Sequence, residues 1–317
     1  MDYIKTHKNA IVVDAHSDIP LELLYSRKNG EHSGNLTKKH LPILEAGGIN
    51  VIFMEIYAKL HPEGSLKQAL LEVGDIYEEI KENKKLKLIR TKEDFKKIAS
   101  DEYLNIVFSM EGLEPLGSDL TLLNVFYELG LRSASLTWNN RNYFAAGVSE
   151  LGGLSKLGKK AVKKMEDLGI IVDVSHLNEE GFWDIISIAT KPIIASHSNA
   201  KALYNCDRNL SDKQIRAIVK TGGVIGIVCY FTDDEEKMCL ESYMKHLDYM
   251  IKIAGEDHVG LGLDFNGYLG DIYVPGIEDA SKIPSITEEL CKRGYKEETI
   301  YKILGGNFLR ILNTVLK

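Results

Sequence analysis

The sequence lacks the features that mark disulfide-rich, membrane-spanning and secreted proteins. Its 317 residues contain four cysteines with no CxxC spacing among them, so we expect reduced thiols rather than a disulfide framework or a cysteine metal site. No apolar run approaches the roughly 18 residues that a membrane helix needs. The first residues also lack the apolar stretch of a signal peptide. We therefore expect a cytoplasmic protein.

The sequence also lacks a basic patch. Lys and Arg total 39 against 46 for Asp and Glu, a net charge of −7, and nucleic-acid binding needs a basic face that neutralises phosphates. We expect neither a nucleic-acid nor a membrane partner. Hydrophobic residues make up 44% of the chain and charged residues 27%, as in globular proteins.

Short, β-branched, apolar runs alternate along the chain with helical patterns. Several runs are apolar nearly throughout, as expected of parallel strands that are buried on both faces. The predicted strands are 10–15, 50–57, 105–110, 133–138, 170–175, 192–196, 223–229 and 259–264. The main predicted helices are 65–83, 158–168, 178–189, 211–221, 240–254, 286–293 and 307–316.

This alternation predicts an α/β fold, a single (β/α)8 TIM barrel that forms one domain over residues 1–317, with its active site at the C-terminal ends of the strands. A doubly wound open sheet is the alternative fold. The eight strand–helix units of nearly equal length favour the barrel over it. Two long connections, 19–47 and 265–282, follow predicted strand ends. We interpret both as loops that form walls of a substrate site.

Side chains of the metal-ligand type follow the predicted strands. They are His16, Asp18, Glu111, His176, His197 and Asp264. Each alone is more typical of a structural histidine or a helix cap. Because strand C-termini of a barrel share one rim, however, we expect the six to converge. Imidazole and carboxylate ligands without cysteine suit zinc.

The spacing of these residues favours two ions. His16 and Asp18, two positions apart, can bind one ion, and His176 and His197 can bind a second. Glu111 has two carboxylate oxygens, which suits a bridge between ions that lie ~3.5–4 Å apart. Such a site predicts a hydrolase that activates water and polarises a carbonyl group.

Short motifs occur in order from the first predicted strand to the last helix. They are DAHSD at 14–18, MEG at 110–112, DVSH at 173–176, ASHSN at 195–199, RN at 208–209, DHVGLGLDFNG at 257–267 and GGNFLR at 305–310. Together they resemble the membrane (renal) dipeptidase family of zinc metallopeptidases, whose barrels are related to the amidohydrolases.

The resemblance implies a dinuclear zinc dipeptidase that cleaves small dipeptides with a free C-terminal carboxylate, through a metal-bridging hydroxide. It also implies tolerance of either chirality at the C-terminal residue and is compatible with a homodimer. One zinc would be held by His16, Asp18 and the bridging Glu111. The other would be held by Glu111, His176 and His197.

The resemblance also implies substrate contacts. Arg208 would bind the substrate carboxylate as a bidentate partner. Asp264 would either transfer protons between the attacking water and the leaving amine or bind the substrate ammonium. Tyr230 would line the pocket.

The sequence departs from the family after the fourth predicted strand. Well-known members carry an oxyanion-stabilising histidine in a Leu-Thr-His context, where this chain has Trp138. Asn139, Asn140, Arg141 or the Trp138 indole N–H are alternative donors, and Trp138 is alternatively a packing residue of the pocket wall. Two other functions stay open: a related barrel metallohydrolase acting on another amide, a lactone or a phosphoester, and a catalytically impaired metal-binding barrel.

Overall fold

The computed structural model describes residues 1–30, 34–60, 64–95, 98, 103–266 and 272–317. Gly267, the last residue of the DHVGLGLDFNG motif, lies outside the described residues. Within the described ranges the chain forms the following strands: β1 (Val12–Ser17), β2 (Ile49–Tyr57), β3 (Leu86–Leu88), β4 (Leu104–Glu111), β5 (Leu131–Ser135), β6 (Ile171–Asp173), β7 (Ile194–Ala195), β8 (Val224–Ile227) and β9 (Val259–Leu261).

The strands form one parallel sheet that closes into a barrel. Neighbouring strands follow the order β2-β1-β9-β8-β7-β6-β5-β4, and β2 pairs with β4 to complete the circle. The predicted (β/α)8 barrel is therefore confirmed. β3 is an additional strand that pairs with the first residues of β4, Leu86 opposite Leu104. Three residues are too few for a recognisable apolar run, so the sequence pattern missed it.

Helices surround the barrel. They are α1 (Tyr3–Asn9), α2 (Ile19–Lys28), α3 (Leu41–Ala46), α4 (Ser65–Glu82), α5 (Lys92–Phe95), α6 (Leu122–Glu128), α7 (Lys156–Leu168), α8 (Glu179–Ile188), α9 (Asp212–Lys220), α10 (Leu240–Ala254), α11 (Ile283–Lys292), α12 (Glu297–Tyr301) and α13 (Asn307–Val315). Asn178 and Ser211 cap α8 and α9, each accepting a backbone N–H from the residue three positions further on. Among the described residues, none of the helices combines the length and apolarity needed to cross a bilayer.

The interpretation of residues 19–47 as one long loop is wrong. The segment contains α2 and α3, which both begin with proline in the first turn, where the missing N–H costs no hydrogen bond. Leu21, Leu23 and Leu24 of α2 are buried, so apolar packing holds this part of the segment in place.

The barrel interior changes character along the strands. Near the strand N-termini it is apolar and is covered by α13; we call this the closed end, formed by Val13, Val51, Phe53, Val107, Ile171, Ile194, Val224, Phe308, Ile311 and Leu312. Gly260 permits this packing, since a Cβ there would lie 2.5 Å from the Phe308 ring. Towards the strand C-termini the interior carries polar side chains, and we call this the open end.

Candidate active site

The open end brings together all six side chains that the sequence places at strand ends. His16 lies in β1, Glu111 ends β4, and Asp18 immediately precedes α2. The other three follow β6, β7 and β9 by two or three residues; they are His176, His197 and Asp264. All six are at most 8% exposed, so their charges and hydrogen-bonding atoms interact largely without water.

Glu111 is the shared neighbour of the three histidines. Its Oε1 lies 2.8 Å from His176 Nε2, 3.5 Å from His16 Nε2 and 3.6 Å from His197 Nε2. The Nε2 atoms of His176 and His197 are 2.9 Å apart. One carboxylate oxygen therefore faces three imidazole nitrogens.

Asp18 and Asp264 extend this cluster on the His16 side. His16 Nε2 lies 3.8 Å from Asp18 Oδ1 and 3.4 Å from Asp264 Oδ1. Among the residues that the structure describes, two groups have ligand atoms within 4.8 Å of one another: His16, Glu111 and His197, and His16, Asp18 and Asp264. Asp264 thus lies among the possible ligands, whereas the resemblance gives it only a proton or substrate role.

Two of these residues have an unusual backbone conformation. His176 has φ of 66° and Asp264 has φ of 64°, in the left-handed region that L-residues rarely adopt. Such strain persists where the surrounding structure imposes it and is concentrated at functional sites. The conformation turns both side chains into the open end directly after their strands, which strand periodicity does not predict.

Burial sets the protonation of the cluster. Desolvation is the main cause that holds the pKa of His16, His176 and His197 well below the usual value, and neighbouring cationic groups are the second cause. Their neutral form is the form that binds metals. Burial also raises the pKa of Glu111 to about 8, and burial together with neighbouring carboxylates raises the pKa of Asp18 and Asp264.

Hydrogen bonds orient two of the imidazoles. His176 Nδ1 lies 2.7 Å from Asn139 Oδ1, and because an amide oxygen only accepts, Nδ1 donates and Nε2 carries the lone pair. Ser196 Oγ donates to Asp173 and lies 2.8 Å from His197 Nδ1. Ser196 therefore accepts from His197 Nδ1, so His197 Nε2 also faces the centre unprotonated.

The residues present fit a divalent metal. Two unprotonated imidazole nitrogens face each other beside a carboxylate, an arrangement that a cation stabilises. In the described part of the chain, His16 Nε2 and Asp18 Oδ1 are buried without a hydrogen-bond partner, although buried polar atoms are nearly always paired. Neutral imidazole and carboxylate oxygen are the donors that zinc accepts.

A cavity of about 120 Å³ opens onto the cluster. It is lined by Asp18, Glu111, Trp138, Asn139, His176, Arg208, Phe231 and Asp264. Arg208 Nη2 donates to the backbone oxygen of His197 at 3.3 Å and lies 3.2 Å from His176 Nε2. The guanidinium group is thus at the centre rather than in a surface ion pair.

The predicted pocket residues differ in placement. Trp138 lines the cavity and packs edge-on against Tyr57, with ring centroids 5.4 Å apart. Tyr230 is 3% exposed and does not line the cavity. Its neighbour Phe231 lines the cavity instead. Its role in substrate binding stays a prediction. Pattern reasoning missed Phe231, which has φ of 59°.

The fold and this cluster define a class. A (β/α)8 barrel whose strand C-termini carry imidazoles, carboxylates and a cavity is typical of metal-dependent hydrolases. The model of the membrane dipeptidase family, peptidase family M19, matches residues 3–317. The chain belongs to this family, and the predictions of the family and of a hydrolytic, metal-dependent enzyme class are confirmed.

Known relatives agree with this assignment. A Klebsiella pneumoniae protein, described by its place in the pqqA 5′ region, is 38% identical over 208 residues, which are 61% of this chain and 75% of that protein. Dipeptidase tcpJ of Claviceps purpurea is 35% identical over 202 residues, 62% of this chain but only 47% of that protein. The chain thus matches about half the length of this fungal relative.

Among solved structures, a metallopeptidase from Rhodobacter sphaeroides superimposes with a TM-score of 0.89 and 28% identity. The superposition covers 97% of this chain and 99% of that one. That protein is liganded with a phosphinate mimic of the dipeptide L-Ala-D-Ala.

Proposed function

We propose that the chain is a dinuclear zinc dipeptidase that hydrolyses small dipeptides with a free C-terminal carboxylate. The observation that carries this proposal is Glu111 Oε1, which faces three buried imidazole nitrogens within 3.6 Å. When bound, the two zinc ions would activate water and polarise the scissile carbonyl group. The ligands would be His16, Asp18 and Glu111 for one ion, and Glu111, His176 and His197 for the other.

Asp264 is proposed to transfer the proton. It lines the cavity, and burial beside Asp18 and Glu111 raises the pKa of its carboxyl group, which suits a group that must both accept and release a proton near neutral pH. Its carboxylate would take a proton from the attacking water and deliver it to the nitrogen of the leaving amine.

Arg208 is proposed to bind the substrate's C-terminal carboxylate. A guanidinium group can donate two parallel hydrogen bonds to a carboxylate, a geometry that lysine cannot reproduce. The cavity of about 120 Å³ favours substrates with small side chains. The L-Ala-D-Ala mimic bound to the Rhodobacter relative supports dipeptides of this size, including those with a D-residue at the C-terminus.

The oxyanion donor is proposed to be the Asn139 side-chain amide. Asn139 lines the cavity, and because its oxygen accepts from His176, its amide nitrogen is the atom that would donate to the oxyanion. Asn140 is exposed, and the guanidinium of Arg141 donates to the backbone oxygen of Leu151. Trp138 would then serve as a wall of the cavity.

The first experiment combines metal analysis of the purified protein with hydrolysis assays on small dipeptides and their C-terminal amides. Two zinc ions per chain and cleavage abolished by amidation are expected. Turnover of a lactone or phosphoester instead would favour the related barrel hydrolase. Bound metal without turnover of any of these substrates would favour the catalytically impaired barrel.

Substitution of Arg208 tests whether this residue binds the C-terminal carboxylate of the substrate. Arg208→Met should raise KM for free dipeptides about 10–100-fold, because a hydrogen bond to a charged group contributes ~1.5–3 kcal/mol. Arg141→Met is the matched control, because Arg141 donates to Leu151 and is exposed. An equal effect of both substitutions would contradict the assignment.

A further inference from the structure

We propose that Glu55 is the positioning residue of His16: its carboxylate accepts from His16 Nδ1, holds Nε2 towards the metal centre and strengthens binding of the ion on the His16 side. The inference rests on the metal site of the proposed function. Neither strand periodicity nor the family motifs single out Glu55, which is the one charged residue in the apolar stretch of β2 (INVIFMEIY).

The strand register places Glu55 directly beneath the cluster. In the β2–β4 pair, Tyr57 lies opposite Glu111, and Glu55 lies opposite Ser109. Because alternate residues of a strand face the same side, Glu55 and Ser109 face the barrel interior, as Glu111 does, one level nearer the closed end. Glu55 is 2% exposed, a placement that is costly for a carboxylate without a partner.

Glu55 and His16 each offer the atom that the other needs. Glu55 Oε1 lies 3.5 Å from His16 Nδ1. In the described part of the structure, both atoms are buried without a hydrogen-bond partner. A hydrogen bond between the two atoms would satisfy both. When the Glu55 carboxylate accepts this hydrogen bond, His16 Nδ1 is the donor, and Nε2 presents its lone pair towards Glu111 and Asp264.

The other two histidines show the same arrangement with different acceptors. His176 Nδ1 contacts the neutral amide of Asn139, and His197 Nδ1 contacts the hydroxyl of Ser196. Only His16, among the three, has a carboxylate in direct contact with Nδ1. A carboxylate in this position fixes the tautomer and raises the basicity of the ligand nitrogen. Loss of Glu55 should therefore weaken one ion selectively.

The test measures zinc affinity of the full chain by chelator competition, for the wild type, Glu55→Gln and Glu55→Leu. Outer-shell partners of metal ligands typically contribute about 10–100-fold in affinity. We expect a loss of this size for one of the two ions in Glu55→Leu. A smaller loss is expected in Glu55→Gln, whose amide oxygen still accepts. The tautomer of His16, read by nitrogen NMR of the zinc-loaded protein, should change in Glu55→Leu.

Glu72→Gln is the matched control. Glu72 is also a fully buried glutamate beside β2, but its carboxylate accepts from the Tyr57 backbone N–H at 2.8 Å and from the Gln68 side chain rather than from a histidine. Its substitution should leave zinc affinity unchanged. If Glu72→Gln weakens zinc binding as much as Glu55→Gln does, the effect reflects packing and the inference is overturned.

The remaining outcomes separate this inference from the proposed function. Unchanged affinity in Glu55→Leu, or equal weakening of both ions, would overturn the role of Glu55 and leave the dipeptidase proposal intact. A wild-type protein that binds no zinc would overturn the metal site, and the inference with it. If Glu55→Leu does not fold, the near-isosteric Glu55→Gln decides: a zinc affinity identical to wild type would contradict the proposal.

Discussion

The two ends of the barrel interior are equally buried but chemically opposite. At the closed end, Val51, Phe53 and Phe308 are 0% exposed, and at the open end His16 and Glu55 are 1% and 2% exposed. Apolar side chains at the closed end satisfy one another by packing. At the open end, described atoms of His16, Asp18 and Glu55 are buried without a hydrogen-bond partner. Low solvent exposure is common to both ends, so it does not identify the site. The buried polar atoms without partners at the open end distinguish it from the apolar closed end.

The largest expected effect comes from Glu111→Gln, which removes the carboxylate shared by the histidines. Turnover should fall by about 10³-fold or more, beyond the ~10–100-fold typical of outer-shell residues. Zinc should raise the Tm of the wild type much more than that of this variant, since ligand binding stabilises the folded state. Kinetics and thermal melting with and without a chelator measure both effects. Wild-type zinc stabilisation in Glu111→Gln would contradict a ligand role.

Asp264→Asn separates metal binding from turnover within the open end. We expect retained zinc and a loss in kcat of about 10²–10⁴-fold, the usual contribution of a general acid–base group. Metal analysis and steady-state kinetics measure the two properties independently. Near-normal turnover would contradict the proton-transfer role, and loss of a zinc ion would make Asp264 a ligand, as its group with His16 and Asp18 allows.

Phe308→Ala tests the closed end. The Phe308 ring is fully buried, with its centroid 6.0 Å from that of Phe53. The truncation should lower the free energy of unfolding by ~3–5 kcal/mol, while kcat of the folded protein stays near wild type. Denaturant unfolding measures the loss. Leu309→Ala, a half-buried neighbour in α13, is the control and should cost less. A large loss of kcat in folded Phe308→Ala would show that the two ends are coupled.

The smallest effect is expected from Ser211→Ala, outside both ends. Ser211 forms a capping box with Gln214 at the start of α9, and loss of such a cap costs ~1 kcal/mol. Denaturant unfolding should show this loss, with zinc affinity and kcat unchanged. The variant provides the baseline against which stability effects at the closed end are judged. An effect on zinc affinity would contradict the separation of α9 from the open end.

Pattern reasoning predicted the barrel because its strands are apolar runs separated by amphipathic helices. It missed β3, which has only three residues, and it took α2 and α3 for loop because the polar stretch between them dominates the segment. The six side chains of the cluster were predictable because barrel topology brings strand C-termini to one rim. The contacts of Asn139 with His176 and of Glu55 with His16 were not predictable, since each joins residues distant along the chain.

The sequence by itself determined the fold class and the set of side chains at the open end, because periodicity and residue type are local properties of the chain. Only the tertiary structure decided which atoms face one another. Closure of the barrel produces the left-handed backbone of His176 and Asp264. It also brings Glu111 Oε1 close to three histidines and places Glu55 Oε1 3.5 Å from His16 Nδ1. Closure sets the register between distant strands, and register sets the distances on which metal binding and proton transfer depend.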